Sequence, residues 1–100
     1  MNKIEIHQEQ IKALCEKHKV KTLYAFGSVL NERFNSESDI DLLVKFQEID
    51  LLDYADNYFN LLFSLQSVLD RKVDLVTEQS LKNPYFIEQI NNTKQLIYAN

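Results

Sequence analysis

The chain has 100 residues, 45% of them hydrophobic and 26% charged, with a formal net charge of −4, which leaves room for one domain with a real core and argues against disorder. No apolar run reaches the roughly 20 residues that span a bilayer, the N-terminus lacks the apolar centre of a secretion signal, and the single cysteine, Cys15, excludes an internal disulfide or a cysteine-built zinc site; the expected setting is the cytoplasm. The acidic balance argues against a basic face for gripping phosphates, so no direct nucleic-acid or membrane partner is expected, but it suits carboxylates that meet a nucleotide through a metal ion.

Helical and extended patterns alternate along the chain. They predict one mixed α/β (α+β) domain over residues 1–100, a small mixed sheet of three to four strands flanked by helices. Ile11, Leu14, Cys15 and His18 fall at i, i+3, i+4 and i+7, the apolar stripe of a helix over roughly residues 7–18. Cys15 reads as a small core residue, His18 as a helix-end residue and His7 as surface. Thr22 to Phe26 reads as a strand that stops at Gly27-Ser28, with a short helix from Val29 capped by Ser28. In the strand Asp39–Phe46, alternation puts Ile40, Leu42, Val44 and Phe46 on one face and Asp39, Asp41, Leu43 and Lys45 on the other. Asp50 is placed to cap a long helix over residues 51–69. One apolar stripe is Leu51, Ala55, Tyr58, Leu62, Leu65 and Leu69, flanked by Leu52, Phe59 and Phe63 on one side and by Tyr54, Leu61 and Val68 on the other. That helix is either clamped between the sheet and the C-terminal segment or offers an apolar strip to a second protein. Arg71–Val76 is a strand with Asp74 opposite Val73 and Leu75. Asn83-Pro84 opens a helix to about Ile90, and Gln95–Tyr98 is a last strand.

Three acidic residues need a reason. Asp39 and Asp41 lie two apart on one strand face, and Asp74 lies on the polar face of the next strand. An isolated Asp-x-Asp would be an ordinary solvated pair. If the strands pair, however, three carboxylates converge and repel, and a divalent cation removes that conflict; oxygen donors alone select Mg²⁺ or Mn²⁺ over zinc. Gly27 is the only glycine of the chain. A strand ending in Gly-Ser before a helix leaves unpaired backbone N–H groups that attract phosphate, and the Ser28 hydroxyl adds a donor. Lys45 reads as a solvated lysine, and Tyr24, Phe26 and Tyr54 as core.

Gly27-Ser28, ten residues, Asp39-Ile40-Asp41 and then Asp74 in Val73-Asp74-Leu75-Val76 resemble the pattern of the nucleotidyltransferase superfamily related to DNA polymerase β, in its minimal form, across essentially the whole chain. The resemblance implies the fold of that family and a two-metal transfer of a nucleotidyl group. Asp39 and Asp41 would hold both Mg²⁺ ions. Asp74 would complete one site and help deprotonate the acceptor, and Gly27 and Ser28 would hold the outer phosphates of ATP. Minimal nucleotidyltransferases commonly accompany HEPN-domain ribonucleases, so the resemblance further implies an antitoxin that moves AMP to a tyrosine hydroxyl of a HEPN toxin, or neutralises the toxin by binding. The segment after Gly27-Ser28 departs from the family's frequent Arg-Ala-Arg-Gly. It reads Val29-Leu30-Asn31-Glu32, with Arg33 as the nearest basic residue. Nucleotide preference, acceptor identity and homo-oligomerisation stay open at this point.

Overall fold

A computed structural model of the chain describes residues 3–27 and 39–100. Its elements are α1 (Lys3–Ile6), α2 (Gln8–Lys17), β1 (Val20–Phe26), β2 (Ile40–Phe46), α3 (Leu51–Leu69), β3 (Val73–Thr77), a 3₁₀ turn (Glu78–Ser80), α4 (Pro84–Thr93) and β4 (Gln95–Ala99). The strands form one mixed sheet in the order β3-β2-β1-β4. β1 runs antiparallel to both β2 and β4. β2 and β3 are parallel, so the connection between them must cross the sheet, and α3 makes that crossing. Among the described residues no helix is long and apolar enough to cross a membrane.

The larger core fills the face covered by α2 and α3. Ile11 and Cys15 from α2, and Leu61, Leu65 and Leu69 from α3, close over Leu23, Ala25, Ile40, Leu42, Val44, Val73 and Leu75. Burial pushes the Cys15 thiol up to about 12, as expected of an unreactive core thiol. The N-terminus adds a turn that the periodicity of residues 7–18 does not extend to, α1, whose Ile4 is buried with this core. His18 ends α2 as a buried side chain whose Nδ1 lies 2.8 Å from the Leu14 carbonyl. Lys19 then takes a left-handed φ of 57°. The turn is tight enough for β1 to start at the fully buried Val20, two residues earlier than the sequence pattern suggests. A register irregularity between Val20 and Thr22 lets Val20 and Leu23 reach the same core despite their odd spacing.

α3 has the bounds its sequence predicts, but its apolar stripe is not seated as expected. Leu61, Leu65 and Leu69 are fully buried, with Tyr58 and Leu62 packed beside them, whereas Leu51 and Leu52 are 89% and 94% exposed. A 19-residue helix is about 28 Å long, against roughly 17 Å for the five-residue strand β3. Leu51 and Leu52 of the first turn are left to solvent, while Tyr54 of the same turn reaches the sheet by packing edge-on against Phe46 of β2. Phe59 and Phe63, ring centroids 6.1 Å apart, continue the exposed strip. α4 packs on the opposite face of the sheet, where its buried Ile90 meets Phe26 and Leu43, so it does not clamp α3. Asp50 occupies the N-cap position of α3 without a side-chain cap bond; its carbonyl accepts from Asp53 N–H instead, at 2.9 Å. Asn83 does cap α4, its Oδ1 accepting from Tyr85 N–H at 3.0 Å and Phe86 N–H at 3.4 Å. β4 forms as predicted, one residue longer.

Candidate active site

The sheet face beneath α4 carries the acidic residues. In the β2–β3 ladder Asp41 stands directly opposite Asp74, and in the β1–β2 ladder Phe26 stands opposite Asp41. Strands pack about 4.8 Å apart, and alternation turns all three side chains to the same face. A row Phe26–Asp41–Asp74 thus crosses three strands. Asp41 is half-buried, while Asp74 and Asp39, which immediately precedes β2, are exposed. Burial pushes the Asp41 carboxyl above the usual carboxylate range, and the negative charges of Asp74 and then Asp39 push it further. Asp41 is therefore the carboxylate with most to gain from a nearby cation.

Gly27 follows β1 with φ +75° and lines the same cleft. A Cβ at this position would run into Asp41 Oδ2. The glycine is required twice, by a backbone conformation that L-residues avoid and by the carboxylate pressed against it. Ser28, the short helix read from Val29, and Arg33 lie outside the described residues.

Asp41 and Asp74 share the cleft wall, and Asp39 acts on Asp41 from the start of the strand. Among the described residues, no three His, Cys, Asp or Glu side chains form a ready-made metal cage. The donor set nevertheless fits a hard divalent cation, since it is all oxygen and its members repel one another around a half-buried carboxylate.

The cleft measures about 800 Å³, within the range of small-ligand sites. Its sheet side is Phe26, Gly27, Asp41, Asp74, Val76 and Gln95, and its far side is Phe86, Gln89, Ile90 and Thr93 of α4. The sequence reading missed this far wall. The signal was present, because Phe86, Gln89, Ile90 and Thr93 recur at i, i+3, i+4 and i+7, but a stripe mixing apolar and polar residues is easily passed over. Phe86 packs edge-on against Phe26, with ring centroids 6.2 Å apart. A second hollow of about 450 Å³ runs along the free edge of β3, bordered by Tyr54, Tyr58 and Phe59 of α3 and again by Asp74. The Tyr58 hydroxyl donates to the Leu75 carbonyl there, pinning the strand edge beside Asp74.

The remaining residues weighed in the sequence take structural places. His7 is half-buried at the N-cap of α2. Lys45 is exposed, 3.9 Å from Glu78. Tyr24 joins the smaller core with Lys94 Nζ 4.2 Å from its ring centroid, and Tyr54 packs edge-on to Phe46.

Comparison with known proteins agrees with this architecture. The family described as Polymerase beta, Nucleotidyltransferase matches residues 9–100. A Methanocaldococcus jannaschii protein provisionally named a protein adenylyltransferase is 38% identical over 95 residues, covering 95% of this chain and 92% of the relative. A solved structure described provisionally as a minimal nucleotidyltransferase superposes with a TM-score of 0.77 at 30% identity, covering 95% of both chains. A toxin–antitoxin crystal structure with AMP-PNP contains a chain with a TM-score of 0.70 at 25% identity, covering 93% of this chain and 73% of that one. The same fold occurs in a complex of a tri-AMPylated Shewanella oneidensis HEPN toxin with its MNT antitoxin, at a TM-score of 0.63 and 24% identity, covering 96% of this chain and 72% of that one.

Proposed function

The chain belongs to the polymerase β nucleotidyltransferase family, and from that premise we propose that it transfers AMP from ATP to a hydroxyl, most simply a tyrosine, of a HEPN toxin and so acts as its antitoxin. The observation that carries this reading is the in-register pair Asp41–Asp74, set in a cleft beside Gly27. The adenylyltransferase name of the archaeal relative and the toxin–antitoxin setting of the solved neighbours support it.

Asp39, Asp41 and Asp74 are the residues that would hold two Mg²⁺ ions, which when bound would supply the positive charge that neutralises the triphosphate and the leaving pyrophosphate. Asp41, half-buried and repelled by its neighbours, sits centrally between the other two. Gly27 and Ser28 would hold the outer phosphates, a role the Gly-Ser pair of the sequence suits. Asp74, exposed and open also to the hollow along β3, accepts the proton of the incoming hydroxyl. The acceptor oxygen then forms a bond to the α-phosphorus as the bond to pyrophosphate breaks in line. The exposed strip of Leu51, Leu52, Phe59 and Phe63 adjoins that hollow, sharing Phe59 with it. It gives the toxin an apolar surface from which to bring its hydroxyl to Asp74.

The test is incubation of the purified chain with labelled ATP, Mg²⁺ and the HEPN partner. The wild-type chain should label the partner, and Asp41→Asn should not. Undiminished labelling by Asp41→Asn would refute the reading. A second reading, stoichiometric neutralisation without catalysis, is favoured by Asn31-Glu32 standing where the family frequently has Arg-Gly. Full neutralisation of the toxin by a chain with Asp39, Asp41 and Asp74 all changed to Ala would support that second reading.

A further inference from the structure

The two ends of the cleft differ in chemistry. One end carries Asp41 and Asp74, the only charged side chains among the described residues that line it. The other, formed by α4 and the start of β4, presents the half-exposed ring of Phe86, the buried Ile90, and the neutral amides of Gln89 and Gln95. A wall whose described residues carry no cation is poorly suited to a triphosphate. It suits a flat, uncharged group that stacks on one face and exchanges hydrogen bonds along one edge.

We propose that the α4 wall is the nucleobase subsite, with Phe86 as the stacking platform and Gln89 reading the edge of adenine; this rests on the nucleotidyltransferase reading given above. A carboxamide both donates and accepts, so it pairs with adenine, which offers an amino donor beside a ring-nitrogen acceptor. On the Hoogsteen edge, where adenine offers its N6 amino donor beside the N7 acceptor, guanine presents the O6 and N7 acceptors and loses half of the pair. An acceptor phenol fits the wall less well. Its single hydroxyl is needed at the carboxylates, which would leave both glutamines unmatched. The Phe86 ring is held from both sides of its backbone and side chain. Its N–H donates to the Asn83 cap, and the ring rests edge-on against the buried Phe26. A platform fixed in this way loses little freedom when a base settles on it.

The experiment is calorimetric binding of ATP, GTP and inorganic tripolyphosphate to the full chain in the presence of Mn²⁺. Wild type should bind ATP more tightly than the other two. Phe86→Ala should weaken ATP about tenfold, the scale of a lost base–aromatic stack, and leave tripolyphosphate unchanged. Gln89→Ala should bring the ATP and GTP affinities together. Both positions are exposed enough for the variants to keep the wild-type thermal midpoint within a few degrees. Unaltered ATP binding in both variants, with loss in Asp41→Asn, would overturn the base subsite alone. Absence of ATP binding by the wild-type chain would overturn this inference together with the reading beneath it. A raised KM for the acceptor protein with intact ATP binding would assign the wall to the acceptor instead, and so overturn the base subsite.

Discussion

The α2/α3 face of the sheet and the α4 face are made by the same strands and hold different things. On the first, Leu23, Ala25, Ile40, Leu42, Val44, Val73 and Leu75 are apolar and shut away from water. On the second, apolar contact is confined to the small cluster around Phe26, Leu43 and Ile90, and the neighbouring positions are Asp41 and Asp74 at an open cleft. The closed face fixes what the open face can do. Pairing Ile40 with Val73 and Leu42 with Leu75 leaves no choice but to set Asp41 opposite Asp74, because a slip of one residue would turn every side chain over. The carboxylate pair is thus aligned by packing on the far side, and its mutual repulsion is borne by a core it does not touch.

Substitutions on the two faces should separate stability from activity. On the closed face, Leu65→Ala removes a fully buried side chain and should cost about 2–5 kcal/mol in denaturant unfolding. Nucleotidyl transfer should fall only as the folded fraction falls. On the open face, Asp74→Asn should lower transfer by about a hundredfold or more, the scale seen when a charge-stabilising group is removed, with no loss of thermal stability. Gly27→Ala, between these, should destabilise by about 1–2 kcal/mol for the left-handed backbone alone, and should lower activity beyond that by displacing Asp41.

A smaller effect follows from the raised Asp41 pKa. The folded chain holds that proton more tightly than the unfolded chain, so the contribution to stability is present below the ordinary value of 3.8 and is lost as pH rises through the raised value. Asp41→Asn should therefore melt higher than wild type at neutral pH, the gap should close below about pH 4, and added Mg²⁺ should narrow it at neutral pH. Thermal melts across pH check all three. The smallest effect is expected on the exposed strip of α3. Phe63→Ala, at a position 59% exposed, should alter stability by no more than about 0.5 kcal/mol while weakening co-purification with the HEPN partner.

Much of the fold was legible because the strands alternate cleanly and α3 is long and strongly periodic; its bounds and the Asn83-Pro84 start of α4 stand as read. The departures have local causes. β1 begins early because Lys19 accepts a left-handed φ, which the lysine-rich sequence does not advertise. Leu51 looks like core on a helical wheel and is exposed, because a wheel records angle and not what lies beneath each turn. The acidic residues could be read from spacing, whereas Gly27's dependence on Asp41 could not, since it arises from two strands meeting. The far wall of the cleft needed α4 folded back over the sheet before Gln89 and Phe86 could be seen to face the carboxylates' cleft.

If the open face binds a divalent cation through its aspartates, electron paramagnetic resonance of free Mn²⁺ titrated with the purified chain will register it. The wild-type chain should quench the free-ion signal, more strongly with ATP present, and the Asp41→Asn, Asp74→Asn double variant should leave the signal intact. Equal quenching by the two proteins would mean that Asp41 and Asp74 hold no cation.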